Sequence, residues 1–239
     1  MRHLWRAFLD LAFPRACAIC GRPPGLDARQ LCWDCVADLP LITMPFCSVC
    51  GDPADGVTES DFVCGWCRDR PPPFERARSA VRFHGAIRDL LHAFKYQAAI
   101  HLTPDLSGLL EGCVRAHYGA EVFDAVCCVP LYPARERERG YNQARLLADD
   151  LARHRSLPFM PRLLRRIRST GTQTRLSAHA RAENVRGAFA VADPAWVRGR
   201  RLLLVDDVMT TGSTVAECAR VLRSAGAWRV FVATIARGG

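Results

Sequence analysis

The chain has 239 residues, 49% of them hydrophobic and 24% charged, an ordinary globular mixture with room for one sizeable core and a small appended module. No apolar run approaches the ~20 residues a membrane-spanning helix needs, which excludes a helical transmembrane protein. The net charge of +9 is unevenly placed: between Arg135 and Arg186 thirteen arginines face five acids, so this stretch alone carries +8. An arginine-rich face suits phosphate, pyrophosphate or nucleic acid. Genome composition is the competing explanation for arginine dominance in a chain with a single lysine, Lys95.

In chain order, Leu4, Trp5, Phe8, Leu9 and Ala12 recur at helical spacing, which predicts an amphipathic helix over residues 1–16. Docking on the protein itself is favoured over a membrane or partner surface. Arg6 and Asp10 interrupt its apolar run and no small-residue cleavage site follows, so the segment is not read as a signal peptide and a cytoplasmic protein is expected.

Residues 17–70 hold eight of the 12 cysteines in four pairs, CAIC, CWDC, CSVC and CGWC. A two-residue gap turns both thiolates of a pair toward one metal, and two such knuckles complete a tetrahedral site. Taken in order, Cys17, Cys20, Cys32 and Cys35 make one site and Cys47, Cys50, Cys64 and Cys67 the other; interleaved ligation stays open. Gly21 and Gly51 follow the second cysteine of a knuckle, where positive φ turns amides toward sulfur. The segment has too few large apolar residues to fold alone, and two structural zinc ions would replace the missing core. A disulfide framework is the alternative, but nothing signals secretion. Cys113, Cys127, Cys128 and Cys218 read as buried core thiols.

The stiff segment Arg70–Arg76, RPPPFER, marks the boundary to a larger domain over residues 77–239. There strands are predicted at Ala77–Phe83, Ala125–Val129, Gly187–Val191, Leu202–Asp206 and Arg229–Ile235. Helices are predicted at Ala86–Gln97, Pro104–Tyr118, Asn142–Arg155 and Ser213–Ala225. Alternation with uninterrupted apolar strands predicts an α/β fold, a parallel sheet flanked by helices, with a small cysteine-rich module at its N-terminus.

In such sheets ligands bind where strands end and helices begin. Val205–Thr214, VDDVMTTGST, is expected to be such a strand-to-helix loop. Gly212 permits close backbone approach to an anion; Thr210, Thr211, Ser213 and Thr214 add hydroxyl donors beside the amides of a helix N-terminus. Asp206 and Asp207 suit vicinal ribose hydroxyls, or a Mg²⁺ held by them. A helix capped by Ser213 or Thr214 is the plain alternative, yet capping needs one such residue rather than two acids and a five-residue loop. No GK[ST] follows, which excludes a Walker-type loop.

The string resembles the fingerprint of type I phosphoribosyltransferases. Together with the paired knuckles, HAFKYQ (His92–Gln97), VPLYPARERERGYNQARLLA (Val129–Ala148) and RSTGTQTRLSAHARAENVRGAF (Arg168–Phe189), it resembles the ComF family along essentially the whole chain. That family comprises competence-associated, phosphoribosyltransferase-like proteins with an N-terminal double zinc ribbon. The resemblance implies that Asp206 and Asp207 face the ribose as the catalytic pair and that Thr210, Thr211, Gly212, Ser213 and Thr214 hold the 5-phosphate. It also implies a pyrophosphate-side loop over Pro130–Asn142, with Arg135, Arg137, Arg139 and Gly140. Arg168–Asn184 becomes a mobile loop contributing Arg168, Gln173, Arg181 and Asn184. Lys95, at the end of its helix, either reaches a phosphate as a point charge or complements the helix dipole.

Two functions follow. The first is binding of PRPP with Mg²⁺, as a glycosyl-transferring phosphoribosyltransferase whose acceptor the sequence does not reveal, tied to DNA uptake. The second is a non-catalytic single-stranded-DNA binder in competence, using the ribbons and the arginine face, with Trp33, Trp66 and Phe46 for stacking and a protein partner from the competence machinery. Filling a small ribbon core is the plainer use of those aromatics.

Overall fold

The computed structural model describes residues 16–24, 29–54, 62–170 and 178–238; all but the last residue of the expected N-terminal helix lies outside them, as does Gln173. In chain order the elements are α1 (Trp33–Ala37), α2 (Gly65–Asp69), β1 (Arg76–Arg82), α3 (Ala86–Tyr96), α4 (Thr103–Tyr118), β2 (Ala125–Cys128), α5 (Pro133–Arg139), α6 (Gln143–His154), β3 (Leu164–Arg166), α7 (Ala178–Val185), β4 (Phe189–Val191), α8 (Pro194–Val197), β5 (Arg201–Met209), α9 (Ser213–Ser224) and β6 (Arg229–Arg237).

β1, β6, β5 and β2 form one parallel sheet in that spatial order, while β3 and β4, with α7 between them in sequence, pair as a separate two-stranded antiparallel sheet. The central strands are apolar on both sides because helices cover both faces. Leu203, Val205, Phe231 and Ala233 face Leu91 and Phe94 of α3, Leu106 and Leu110 of α4, and Leu147 and Leu151 of α6. Leu202, Leu204, Val230 and Val232 face Val215, Cys218 and Leu222 of α9, with Phe189 of β4 beside them.

Three stretches depart from their predicted form. β5 does not stop at Asp206 but runs through both acids to Met209, paired with β6 as far as Arg237, so the connecting loop shrinks to Thr210–Gly212. The Pro130–Asn142 loop contains α5, which starts on Pro133 and ends on Gly140 at φ 83. No side chain of α5 is buried, so it has no apolar stripe for a periodicity search to find. Within the Arg168–Asn184 loop the segment Ala178–Val185 is helical and packs against α9.

The cysteine-rich modules seat on opposite faces of the sheet. The first, with Cys17, Leu31, Cys32 and Cys35, joins the core on the α3–α4 side, where Asp105 of α4 accepts the Gln30 and Leu31 amides at 3.0 and 3.2 Å. The second, with Cys47, Cys50, Cys67 and Phe74, joins the core on the α9 side. Between them the chain crosses the sheet edge: the Ile42 amide donates to Ala80 O and the Arg82 amide to Pro40 O, so β1 is not left as a bare edge.

Candidate functional site

β5 carries the acid pair to the C-terminal end of the sheet, where successive side chains point to opposite faces. Asp207 is buried on the α3 side, where Lys95 Nζ lies 2.9 Å from its Oδ2, the one described partner of that oxygen. Burial works against the lysine charge, but Asp207 and Asp206 overcome it and raise the Lys95 pKa. The lysine therefore serves as an internal counter-ion to the acid pair. Asp206, half-buried, sits where its charge favours the Arg166 guanidinium of β3 and disfavours a Cys218 thiolate on α9. Burial and then repulsion from Asp207 push its carboxyl up to about 8, against the pull of Lys95. The backbone holds both acids in place: the Asp207 amide donates to Asp206 Oδ1 at 2.9 Å and the Val208 amide to Asp207 Oδ1 at 2.7 Å.

The loop turns on Gly212, whose φ of 76 lies in the left-handed region a side chain resists. Its carbonyl accepts the Ala216 amide and opens α9. Among the described residues α9 has no side-chain cap, so neither Ser213 nor Thr214 plays the capping role, and apart from a long 3.5 Å contact from the Ser213 amide to Thr211 Oγ1 its first-turn donors stay open to an anion. The hydroxyls of Thr211 and Ser213 are hydrogen-bonded to each other at 2.9 Å, which leaves one hydroxyl proton to donate at the helix mouth.

Around this loop the sequence-selected residues divide. Arg181 of α7 comes to it, donating to Thr210 Oγ1 at 3.3 Å. Arg168 instead caps the C-terminal end of α7 by donating to the Asn184 and Arg186 carbonyls at 3.0 and 2.7 Å. On α5, Arg135 pairs with Glu138 at 3.1 Å and Arg139 bonds Gln143 at 2.5 Å beneath the Tyr96 ring, while Arg137 is exposed.

Sequence reasoning missed Arg166 and Arg237. Arg166 belongs to a three-residue strand too short to give a period-2 signal. Arg237 ends β6, and its guanidinium donates to Thr210 O at 2.6 Å, to Asp52 at 2.9 Å and to Cys50 Sγ at 3.9 Å. The one signal that points to it is the parallel topology, which sets the end of β6 beside the loop. A cleft of ≈ 380 Å³ opens here, with Cys50, Trp66 and Arg237 along one wall and Thr211, Gly212 and Ser213 along the other.

The eight cysteines gather in the sequential arrangement, Cys17–Cys20–Cys32–Cys35 and Cys47–Cys50–Cys64–Cys67, all sulfurs of a set within 4.8 Å of one another. A Zn–S bond of about 2.3 Å sets the edge of a thiolate tetrahedron near 3.8 Å. Cys20–Cys32 and Cys50–Cys64 are each 3.7 Å apart, too far for a disulfide and right for that edge. Amides turn toward the sulfurs: Cys32 N donates to Cys17 at 3.4 Å and Cys64 N to Cys47 at 3.3 Å. Burial pushes Cys47 up, but the amides of Cys64, Cys50 and Val49 outweigh it and bring the thiol to about 7. Four sulfurs with no histidine and no open position fit a structural zinc site in each module.

A double zinc ribbon domain model matches residues 8–71 and a phosphoribosyl transferase domain model residues 143–239. The DNA utilization protein YhgH of Escherichia coli K12 is 35% identical over 230 residues, covering 95% of this chain and 99% of that protein. Competence protein F of Haemophilus influenzae is 32% identical, covering 92% and 96%. Competence protein ComFC of Bacillus subtilis is 28% identical, covering 83% and 80%. Similarity of that extent, joined to two Cys₄ clusters and a parallel sheet ending in the acid-pair loop, makes this chain a member of the ComF family.

Proposed function

We propose that the chain binds a 5-phosphorylated ribose, PRPP with Mg²⁺ foremost, at the end of β5, and that it works in the handling of DNA taken up by the cell. The observation that carries this is the uncapped start of α9 behind Gly212, with the Thr211 and Ser213 hydroxyls paired and two acids one strand-turn away. The loop offers donors to the phosphate, and the acids offer acceptors to the ribose hydroxyls. Magnesium entering with PRPP would neutralise the pyrophosphate, and the Asp206 and Asp207 carboxylates are the hard oxygen donors at hand. In a transfer reaction here the chain's part is positional: Thr210–Thr214 hold the phosphate, the acids orient the sugar, and Arg135, Arg137 and Arg139 meet the departing pyrophosphate. The link to DNA rests on the relatives, which are named for DNA utilization and competence.

Thermal shift with Mg²⁺–PRPP tests the reading. Ligand at ~100 times its Kd adds about 2.7 kcal/mol to the stability of the native state. Asp206→Asn combined with Asp207→Asn is expected to remove that shift. No shift in the wild-type chain overturns the proposal.

A second reading, single-stranded DNA binding by the ribbons, is favoured by one observation. Trp33 and Trp66 are 64% and 44% exposed rather than buried in the ribbons, with Arg29 and Arg70 over their rings at 4.8 and 5.5 Å. Rings so placed can stack on bases. A steep fall of oligonucleotide affinity with salt, lessened by Trp33→Ala and Trp66→Ala, is expected on this reading; a flat salt dependence removes it.

A further inference from the structure

Arg237 is buried at the end of the last strand, its side chain only 9% exposed, and its guanidinium is shared three ways. Nε holds Asp52, two residues beyond the first CxxC knuckle of the second ribbon. Nη2 reaches Cys50, a member of the second Cys₄ cluster, and Nη1 holds the carbonyl of Thr210, the first residue of the phosphate loop. The backbone doubles the connection, since the Gly238 amide donates to Met209 O and the Phe83 amide to Arg237 O. A guanidinium is a rigid planar fork, so its donors cannot adjust independently; fixing two of them fixes the direction of the third. Among the described residues the first cluster has no comparable connection, being tied through Asp105 to the opposite face of the sheet.

We propose that Arg237 is a positioning residue that makes the phosphate loop depend on the second Cys₄ cluster. A metal ion there fixes Cys50 as one vertex of a tetrahedron. Arg237 carries that position to the Thr210 carbonyl, and with it sets the aim of the Thr211–Ser213 amides and hydroxyls. The cleft between Cys50, Trp66 and the loop is the shared wall across which a shift of the ribbon would be felt. The consequence for a ligand rests on the phosphoribosyl reading above; the consequence for the loop itself does not.

The test uses the full-length zinc-loaded chain and its Arg237→Met and Arg237→Lys variants. Zinc content by elemental analysis is expected to stay at two per chain in all three. Hydrogen exchange of the Ala216 amide, whose acceptor is the Gly212 carbonyl of the loop, should quicken at least tenfold in Arg237→Met, while the amides of β2 keep their protection. Arg237→Lys, which preserves charge but not the fork, should rescue this only in small part. Where Mg²⁺–PRPP binds the wild-type chain, its affinity should fall about tenfold in Arg237→Met. Cys50→Ser should weaken it similarly in the wild-type background and add little in Arg237→Met, the non-additivity expected of one connected path. Unchanged exchange in Arg237→Met, full rescue by lysine, or additive effects of the two substitutions would overturn the proposal. A wild-type chain that fails to bind PRPP overturns the phosphoribosyl reading alone, because the exchange measurement still decides whether ribbon and loop are coupled.

Discussion

The two ribbons look like copies, yet the fold uses them differently. Each has two CxxC knuckles, a glycine at positive φ after the first knuckle, and a short helix entered from its third cysteine. The first rests on α4 through one carboxylate, far along the chain from the phosphate loop. The second lies on β1 and β6: the Ala77 amide donates to Val49 O, Arg78 to Ser48 O, and Arg237 joins it to the loop. A metal knuckle thus specifies its own small fold, while the surface it lands on decides what the metal influences.

The largest expected effect comes from breaking one cluster at a time. Structural zinc is worth ~10–16 kcal/mol in isolated finger peptides, so either loss should unfold its own ribbon. Cys35→Ser and Cys67→Ser should each lower bound zinc from two to one per chain. Only Cys67→Ser is expected to quicken exchange of the Ala216 amide, which is held by the loop's Gly212 carbonyl. Equal effects of the two substitutions on that loop would erase the contrast between the ribbons.

Next in size is the anchor of the first ribbon. Asp105→Ala leaves two amides, Gln30 and Leu31, without their acceptor, at roughly 1–3 kcal/mol for an unsatisfied buried group. Urea unfolding should register about 2 kcal/mol of lost stability. Ligand affinity at the loop should not change, since the anchor sits on the other face.

How much of this contrast was legible in the sequence follows from the range of each interaction. Cysteine spacing announced both clusters and their order because metal ligation there is local, and VDDVMTTGST announced the loop because strand, acids, glycine and helix are contiguous. Lys95 stood out only as the lone lysine; its partner Asp207 is more than a hundred residues away and meets it through helix packing. Asp105 and Arg237 gave no signal, because a single charge near the end of an element reads as solvated until the topology is known. The sequence reads as a loop at α5 because no apolar stripe marks it, although Pro133 at its start and Gly140 past its end are the expected punctuation of a helix. Aspartates are poor strand formers, so the sequence predicts a shorter β5, and pairing with β6 overrides that preference.

The paired glycines provide a smaller and cleaner comparison. Gly21 and Gly51 have φ of 73 and 68, so alanine is strained at both, at about 1 kcal/mol. A Cβ at Gly21 would meet nothing within 4 Å, whereas one at Gly51 would sit 2.6 Å from the Ala77 carbonyl oxygen. Gly51→Ala must therefore also push the second ribbon away from β1. It should cost clearly more than Gly21→Ala in denaturant unfolding and reduce zinc retention in the second cluster alone. Equal costs would mean that the contact with β1 yields easily.

The smallest effect carries the two-sidedness down to adjacent residues. Asp207 faces Lys95 on the side of the first ribbon and is held as an ion pair, while Asp206, drawn by Lys95 only through space, acts on Arg166 and Cys218 on the side of the second. Burial and the Asp207 charge lift the Asp206 carboxyl to about 8 in the folded chain, against about 4 when unfolded. Between those values the folded state holds a proton that the unfolded state has released, so stability falls as pH rises through the window. Asp206→Asn keeps the Oδ1 acceptor for the Asp207 amide and removes the ionisation. The variant should melt like the wild type near pH 4 and progressively above it up to about pH 8, with the gain flat beyond. Each kcal/mol corresponds to ~2–4 °C in a chain of this size, and solvent at the half-buried carboxylate keeps the gain to a few degrees. A gain that is constant with pH would mean that Asp206 is ionised without penalty, and that Lys95 neutralises the pair as a whole rather than Asp207 alone.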